Sequence, residues 1–318
     1  LGVISHRRPC CNALAVALFL SAILLGGCQG AVSEEEWSGS GIIITDSAHR
    51  QIKLKEIPER IVALGNGEAD IIYALGGELS GRPEENEGFT VEAAKDVPVV
   101  GSVHTVDLEK IAMLHPDVVL GNYPINSKDA ASLEGIGTQI ILTEANSIAD
   151  IQKQIALFGE LLGKEGAAAE WNAKIDSELA EVKAAYPQQA KKVLIVYGAP
   201  GTYLAALPNS LAGNLLETAG GTNVAAQFPR LQSYPQYAQL NTERVVEADP
   251  DVVLIMTHAD SDEVKDGFTK EMESNPAWNS LSAVRNGQIH VLPPALFGTN
   301  PGTRVIDAVK LLGELLKE

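Results

Sequence analysis

One unit occurs twice in this chain, and that repeat limits the folds open to it. Residues 108–120, LEKIAMLHPDVVL, and residues 242–254, TERVVEADPDVVL, share six identities in thirteen positions at a constant offset of 134. Each copy reads as a helix followed by a short apolar strand entered through Pro-Asp. Such strands, alternating with helices along the rest of the chain, point to α/β architecture with parallel sheets. Two half-chains therefore share one plan. Each has a histidine close to its copy: His104 in a short loop before the first, His258 at the end of the second strand.

The 318 residues leave room for two domains of ordinary size. An apolar fraction of 45% with 20% charge is that of a globular protein, and 41 acidic against 24 basic residues disfavour nucleic acid as a partner. The N-terminal residues read as a targeting segment. His6, Arg7 and Arg8 precede an apolar run over 13–25 that is short for a membrane span. It ends in Leu25-Gly26-Gly27-Cys28, the pattern of a lipoprotein cleavage site with Cys28 as the lipid-bearing residue. Cys10 and Cys11 fall inside the expected signal peptide, residues 1–27. With Cys28 alone left, no disulfide or cysteine-ligated cluster forms within one chain. The expected location is the outer face of the cytoplasmic membrane, held by acyl chains.

Residues 28–41, acidic and rich in Ser and Gly, read as a flexible tether. A small hairpin over 42–54 leads into a first lobe, residues 42–164. There Gly65-Asn66-Gly67 follows a strand but lacks the third glycine of a dinucleotide fingerprint. A long helix, 165–187, links this lobe to a second one, 188–318. At ~1.5 Å per residue the helix spans roughly 30 Å, about a small domain's width. In the second lobe Tyr203 is expected on a loop, as is the aromatic, Pro-rich stretch 228–240.

The cleavage motif, ERIVALGNGEADIIYALGG, LEKIAMLHPDVVLG, NLLETAGGTNV, TERVVEADPDVVLI and NPAWNSLSAVRNGQIHVL, taken with the long helix, resemble one family. It is the substrate-binding lipoproteins of ABC importers for ferric siderophores, heme and cobalamin, and the resemblance runs from about Ile42 to the end. It implies two Rossmann-like lobes joined by a single long helix, with the ligand in the cleft between them. The nearest likeness is to heme-binding members of Gram-positive uptake systems. Those place one axial ligand, often methionine, where His104 stands, and a second, a histidine, where IMTHAD puts His258. The resemblance also implies one glutamate per lobe that meets arginines of the permease, at Glu68 and Glu217. No intrinsic cofactor follows; the iron complex is cargo.

Ligands of open α/β sheets bind beyond the carboxyl ends of the strands. Met256 shares a strand face with His258, and Tyr123 sits at the matching strand end of the first lobe. Tyr123 and Tyr203 are read as groups that stack on or ligate cargo, or as buried hydroxyls satisfied internally. Thr105 is read as a residue near a helix N-cap, where the dipole keeps His104 neutral. An anionic cargo in an acidic protein needs local cations, and Arg82, Lys128, Arg230 and Arg304 are the loop residues available. Three other readings stand beside heme. A ferric siderophore or cobalamin would make the histidines dispensable. Free zinc or manganese needs three or four convergent ligands, which the scattered histidines do not offer. The third is an enzyme on this fold, for which the sequence shows no nucleophile elbow, HExxH or P-loop.

Overall fold

The repeat folds element for element. A computed structural model describes residues 41–84, 91–102, 104–186, 191–199, 202–257 and 261–317, which form one compact unit. A hairpin of β1 (Ile42–Thr45) and β2 (Gln51–Leu54) comes first, then β3 (Ile61–Ala63) and α1 (Asn66–Ala74). The first copy follows as α2 (Leu108–Leu114) and β4 (Val118–Asn122), then α3 (Ala130–Gly135) and β5 (Gln139–Thr143). β3, β4 and β5 make a three-stranded parallel sheet in that order. Two helices come next, α4 (Ile148–Leu162) and α5 (Glu165–Ala185).

The second half holds β6 (Lys192–Ala199), β7 (Thr202–Ala206), α6 (Leu211–Thr218), β8 (Thr222–Asn223) and β9 (Tyr237–Gln239). The second copy is α7 (Thr242–Ala248) and β10 (Val252–Met256). After it come α8 (Ser261–Ser274), α9 (Ser282–Arg285), β11 (Ile289–Val291), α10 (Pro294–Phe297) and α11 (Val305–Leu315). The sheet runs β11-β10-β6-β7-β9, with β8 also paired to β6. β11, β10 and β6 pair in parallel as expected, and β7 and β9 join antiparallel, so this sheet is mixed. Only two residues, Pro200 and Gly201, separate β6 from β7, and so short a connection joins antiparallel neighbours alone. Tyr203 and residues 237–239 thus lie on strands rather than loops.

The repeat offset of 134 is kept in detail. Asp107 caps α2 by accepting the Lys110 N–H at 3.0 Å, and Asn241 caps α7 by accepting the Arg244 N–H at 3.0 Å. Asp107 is therefore the cap, two residues beyond Thr105. His115 (φ 47°) and Asp249 (φ 42°) end the two helices in the left-handed region. The Pro-Asp carboxylates then staple neighbouring strands together. Asp117 Oδ2 accepts the Arg60 N–H at 2.8 Å, and Asp251 Oδ2 accepts the Lys192 N–H at 2.8 Å. Pro-Asp at a strand start is thus a register device, repeated because the strand pair is repeated.

The long helix is α5, but it is thinly buried: Ala168, Ile175 and Val182, one residue every second turn, face inward. α4 is separated from it by Gly163 in the left-handed region and buries far more, including Ile151, Ile155 and Phe158. α4 packs on α1 of the first half and on α6 of the second, so one apolar core runs unbroken from Ile61 and Ile141 to Ile195 and Leu254.

A polar seam crosses this core. Gln154 of α4 donates to Glu68 Oε1 (3.0 Å) and Thr143 Oγ1 (2.6 Å), while its own Oε1 accepts from Asn300 Nδ2 (2.6 Å). Asp70 Oδ2 accepts both the backbone N–H and the hydroxyl of Thr303 at 2.6 Å. Two glycines permit this approach. A Cβ on Gly67 would stand 2.4 Å from Asn300 Cγ, and Gly302 (φ +61°) would put one 2.4 Å from Asp70 Oδ2.

The seam carries a pH dependence. Burial pushes the Glu68 carboxyl above its ordinary value of 4.5, against hydrogen bonds from its own backbone N–H, Gln154 and Thr143. The folded state therefore holds a proton that the unfolded chain has released, and stability falls as pH rises from 4.5 through the raised value. Glu68→Gln removes that loss, so its stability measured by urea unfolding from pH 4 to pH 8 is expected to be flatter than wild type. A slope identical to wild type would exclude Glu68 as its source. Gln154→Ala leaves buried partners unpaired and is expected to cost about 2–4 kcal/mol in the same measurement.

Candidate functional site

Where the strands of the two sheets end, a cavity of about 710 Å³ opens between them. One wall comes from the first half: Gly65, Glu68, His104, Tyr123, Lys128 and Asn146. The other comes from the second half: Tyr197, Leu204, Ser210, Tyr237, Met256 and Phe297. Asn122 and Met256, the last residues of β4 and β10 and equivalent under the repeat, both face it. The carboxyl-end rule thus holds in both sheets.

Alternation along each strand decides which side chains reach the cavity. On β10, Leu254 and Met256 point to the side of the shared core, while Val253 and Ile255 pack into a second cluster behind the sheet. On β7, Thr202 and Leu204 line the cavity. Tyr203, between them, faces away and packs against Phe268 with ring centroids 5.1 Å apart. Tyr203 is therefore not a cavity residue, contrary to the sequence reading.

His104 stands at the mouth, exposed, with its carbonyl accepting from Lys128 Nζ at 3.0 Å. Partial burial, and to a lesser degree the Lys128 charge, hold its imidazole below the ordinary histidine value, so the ring is neutral at pH 7. A neutral ring offers a nitrogen lone pair to a metal. His258, the other expected ligand, lies outside the described residues, as does Cys28. The strand leading to His258 is described: Met256 lines the cavity and Thr257 is buried.

Of the four cations considered, Lys128 alone is among the described residues that line the cavity. Arg82 donates to the carbonyls of Val97, Pro83 and Lys95, and Arg304 Nη2 donates to the Ala295 carbonyl at 2.9 Å. Arg304 belongs to the last segment before α11 rather than to the cavity wall, which corrects its assignment to the cleft. The first turns of α1 and α6 supply Gly65, Glu68, Ser210 and Ala212, and helix N-termini favour negative groups.

Glu68 and Glu217 part company. Glu217 is exposed on the last turn of α6. Glu68 is only 3% exposed and spent on the seam, so its carboxylate is not on a surface that a permease could reach. The docking role expected for Glu68 is corrected on that ground. Its place at the start of α1 is what sends it inward to Thr143 and Gln154.

Three tyrosines of the cavity escaped the sequence reading. Tyr197 ends the apolar run of β6, and Tyr234 and Tyr237 sit in the aromatic stretch taken for a loop. Burial, with a smaller contribution from Tyr197, pushes the Tyr237 phenol up to about 12, so it stays neutral. Applying the strand-end rule to β6 as well as to β10 would have found Tyr197. Nothing in the spacing of residues 228–240 marks β9, which is only three residues long.

Known proteins share this fold. IsdE of Staphylococcus aureus (strain MRSA252), a high-affinity heme uptake system protein, is 29% identical over 301 residues, 94% of each chain. The crystal structure of S. aureus IsdE complexed with heme has a TM-score of 0.73 at 28% identity, covering 81% of this chain and 99% of that one. An ABC transporter substrate-binding protein from Listeria monocytogenes EGD-e has a TM-score of 0.72 at 29% identity, covering 82% and 98%. An ABC-type Fe3+-hydroxamate transport system protein from Saccharomonospora viridis DSM 43017 has 0.71 at 25% identity, covering 87% and 99%. The periplasmic binding protein family model matches residues 61–296, from the first parallel strand through the last cavity-lining helix, and the chain belongs to that family.

Proposed function

We propose that this protein is the extracytoplasmic substrate-binding component of an ABC importer, which takes an iron complex, heme before others, into its interlobe cavity and delivers it to a membrane permease. The observation that carries this reading is the cavity itself, walled by both halves and of about 710 Å³, within the usual range for small-molecule sites. The likeness to IsdE supports heme as cargo. In this reading His104 and His258 supply one axial nitrogen from each half, and histidine is a common heme ligand. Lys128 and the first turns of α1 and α6 answer the anionic groups of the cargo. The protein is a binder rather than an enzyme, tethered to the outer face of the cytoplasmic membrane through a lipid on Cys28.

A second reading, a ferric siderophore, is favoured by the likeness to the Fe3+-hydroxamate protein. A hexadentate chelator saturates its iron and leaves the histidines nothing to bind. Titration with hemin separates the two. Heme cargo predicts a shifted Soret band with a low-spin ferric spectrum in wild type. His104→Ala and His258→Ala should each change that spectrum and weaken binding on the order of tenfold or more, since even groups that only orient metal ligands are worth about 10–100-fold. No Soret shift at micromolar hemin would move the assignment to siderophores.

Glu217 is the permease contact in this proposal, since it is exposed and lies outside the cavity wall. Rim charges of this kind act mainly on encounter. Glu217→Ala is expected to cut cargo uptake into cells severalfold while the affinity of the isolated protein for cargo stays at the wild-type value. Undiminished uptake would remove Glu217 from the docking surface.

A further inference from the structure

One wall of the cavity is built by a sheet rather than by loops. Met256 of β10 is in register with Tyr197 of β6, and Tyr197 with Leu204 of β7. Tyr237 of β9 is in register with Ala206, two residues along β7 from Leu204 and so on the same face. Four adjacent strands therefore present Met256, Tyr197, Leu204 and Tyr237 to the cavity as one row. Three strand spacings of roughly 4.8 Å make the row about 14 Å wide. The Tyr197 and Tyr237 ring centroids are 5.7 Å apart, at 50° to each other.

The ordinary explanation for such rings is core packing, and it covers only half of what they do. Both tyrosines are half-buried against the shared core and also line open space. Tyr234, 54% exposed, continues the aromatic surface to the mouth. None of these side chains carries a charge, in a chain with a net charge of −17. A broad, neutral, ring-bearing surface of this kind matches a flat ligand laid along it. A compact chelate of octahedral shape would touch it over a small part of its area.

We propose that this row is a stacking platform and that Tyr197 and Tyr237 make the cavity selective for flat conjugated macrocycles over three-dimensional ferric chelates. The proposal rests on the importer reading and specifies which iron complex that site prefers. Its force comes from aromatic contact rather than from iron, so it applies equally to a macrocycle with no metal. With the two rings at 50°, a flat ligand laid on one meets the other at a tilt. Aromatic contacts of this kind add a small but measurable increment beyond the area they bury.

The test is a fluorescence titration of the full-length protein with iron-free protoporphyrin IX, with hemin and a ferric trihydroxamate, ferrioxamine B, as comparators. Wild type is expected to bind the iron-free porphyrin and to bind ferrioxamine B far more weakly. Tyr197→Ala and Tyr237→Ala should each weaken porphyrin binding by roughly threefold to tenfold, and Phe at either position should restore it to within about twofold. Tyr197→Leu and Tyr237→Leu keep the core filled but lose the ring, and should still bind porphyrin roughly twofold to tenfold more weakly than wild type. Leu variants that bind as wild type, Phe variants as weak as Ala, or a wild type blind to the iron-free porphyrin would each overturn the platform. Hemin binding without porphyrin binding leaves the heme assignment standing and removes the platform. Porphyrin binding without hemin binding does the reverse.

Discussion

The amide of Gln154 is the interaction on which the two-sided cavity depends. It lies in the core of α4, where both halves of the chain pack, and it satisfies Glu68 and Thr143 from one half and Asn300 from the other. Buried polar groups are tolerated only when paired, so each half fixes the position of the other through this side chain. The apolar core around it gives no directional information, because hydrophobic contact alone permits sliding. The hydrogen bonds, and the close approach that Gly67 and Gly302 allow, supply that direction. A cavity whose walls belong to different halves keeps its width only if they are held in this way.

Above the seam, each half follows the same construction. A capped short helix, a left-handed turn at His115 or Asp249, and a Pro-Asp staple deliver β4 and β10 to the same kind of strand end. Those ends, Asn122 and Met256, are chemically unlike although they are structurally equivalent. The scaffold is duplicated while the lining is not. That division suits a pocket in which one side offers amides, a lysine and a neutral imidazole and the other offers a ring-bearing sheet face.

Much of the architecture was legible in the residues. The repeat located both strand ends, the glycine and Pro-Asp signals located helix stops, and the spacing from Glu165 onward outlined α5 to within a residue or two of its ends. Strand-end reasoning points to Tyr123 and Met256, and the family resemblance points to His104; all three line the cavity. The failures have physical causes. Tyr203 reads as a loop residue because Pro200-Gly201 fits a loop or a tight reversal equally, and only strand pairing distinguishes them. Arg304 reads as a cleft residue on its charge and loop position, neither of which reports direction. The docking role of Glu68 rests on the resemblance, and a motif in the string does not report which way its carboxylate turns.

By itself, then, the sequence determined what depends on local order: the duplicated helix–strand unit, the long helix from Glu165, the histidine before α2 and the family to which the chain belongs. Periodicity and capping act over a few residues and leave a trace in the string. Tertiary structure alone decided which side of a strand faces the cavity, that β6 and β7 run antiparallel, and that Tyr197 and Tyr237 meet across two strand spacings. It also decided that Glu68 turns inward to a partner 86 residues away. Those outcomes depend on which distant segments become neighbours, and that is settled by packing the whole chain around a single core.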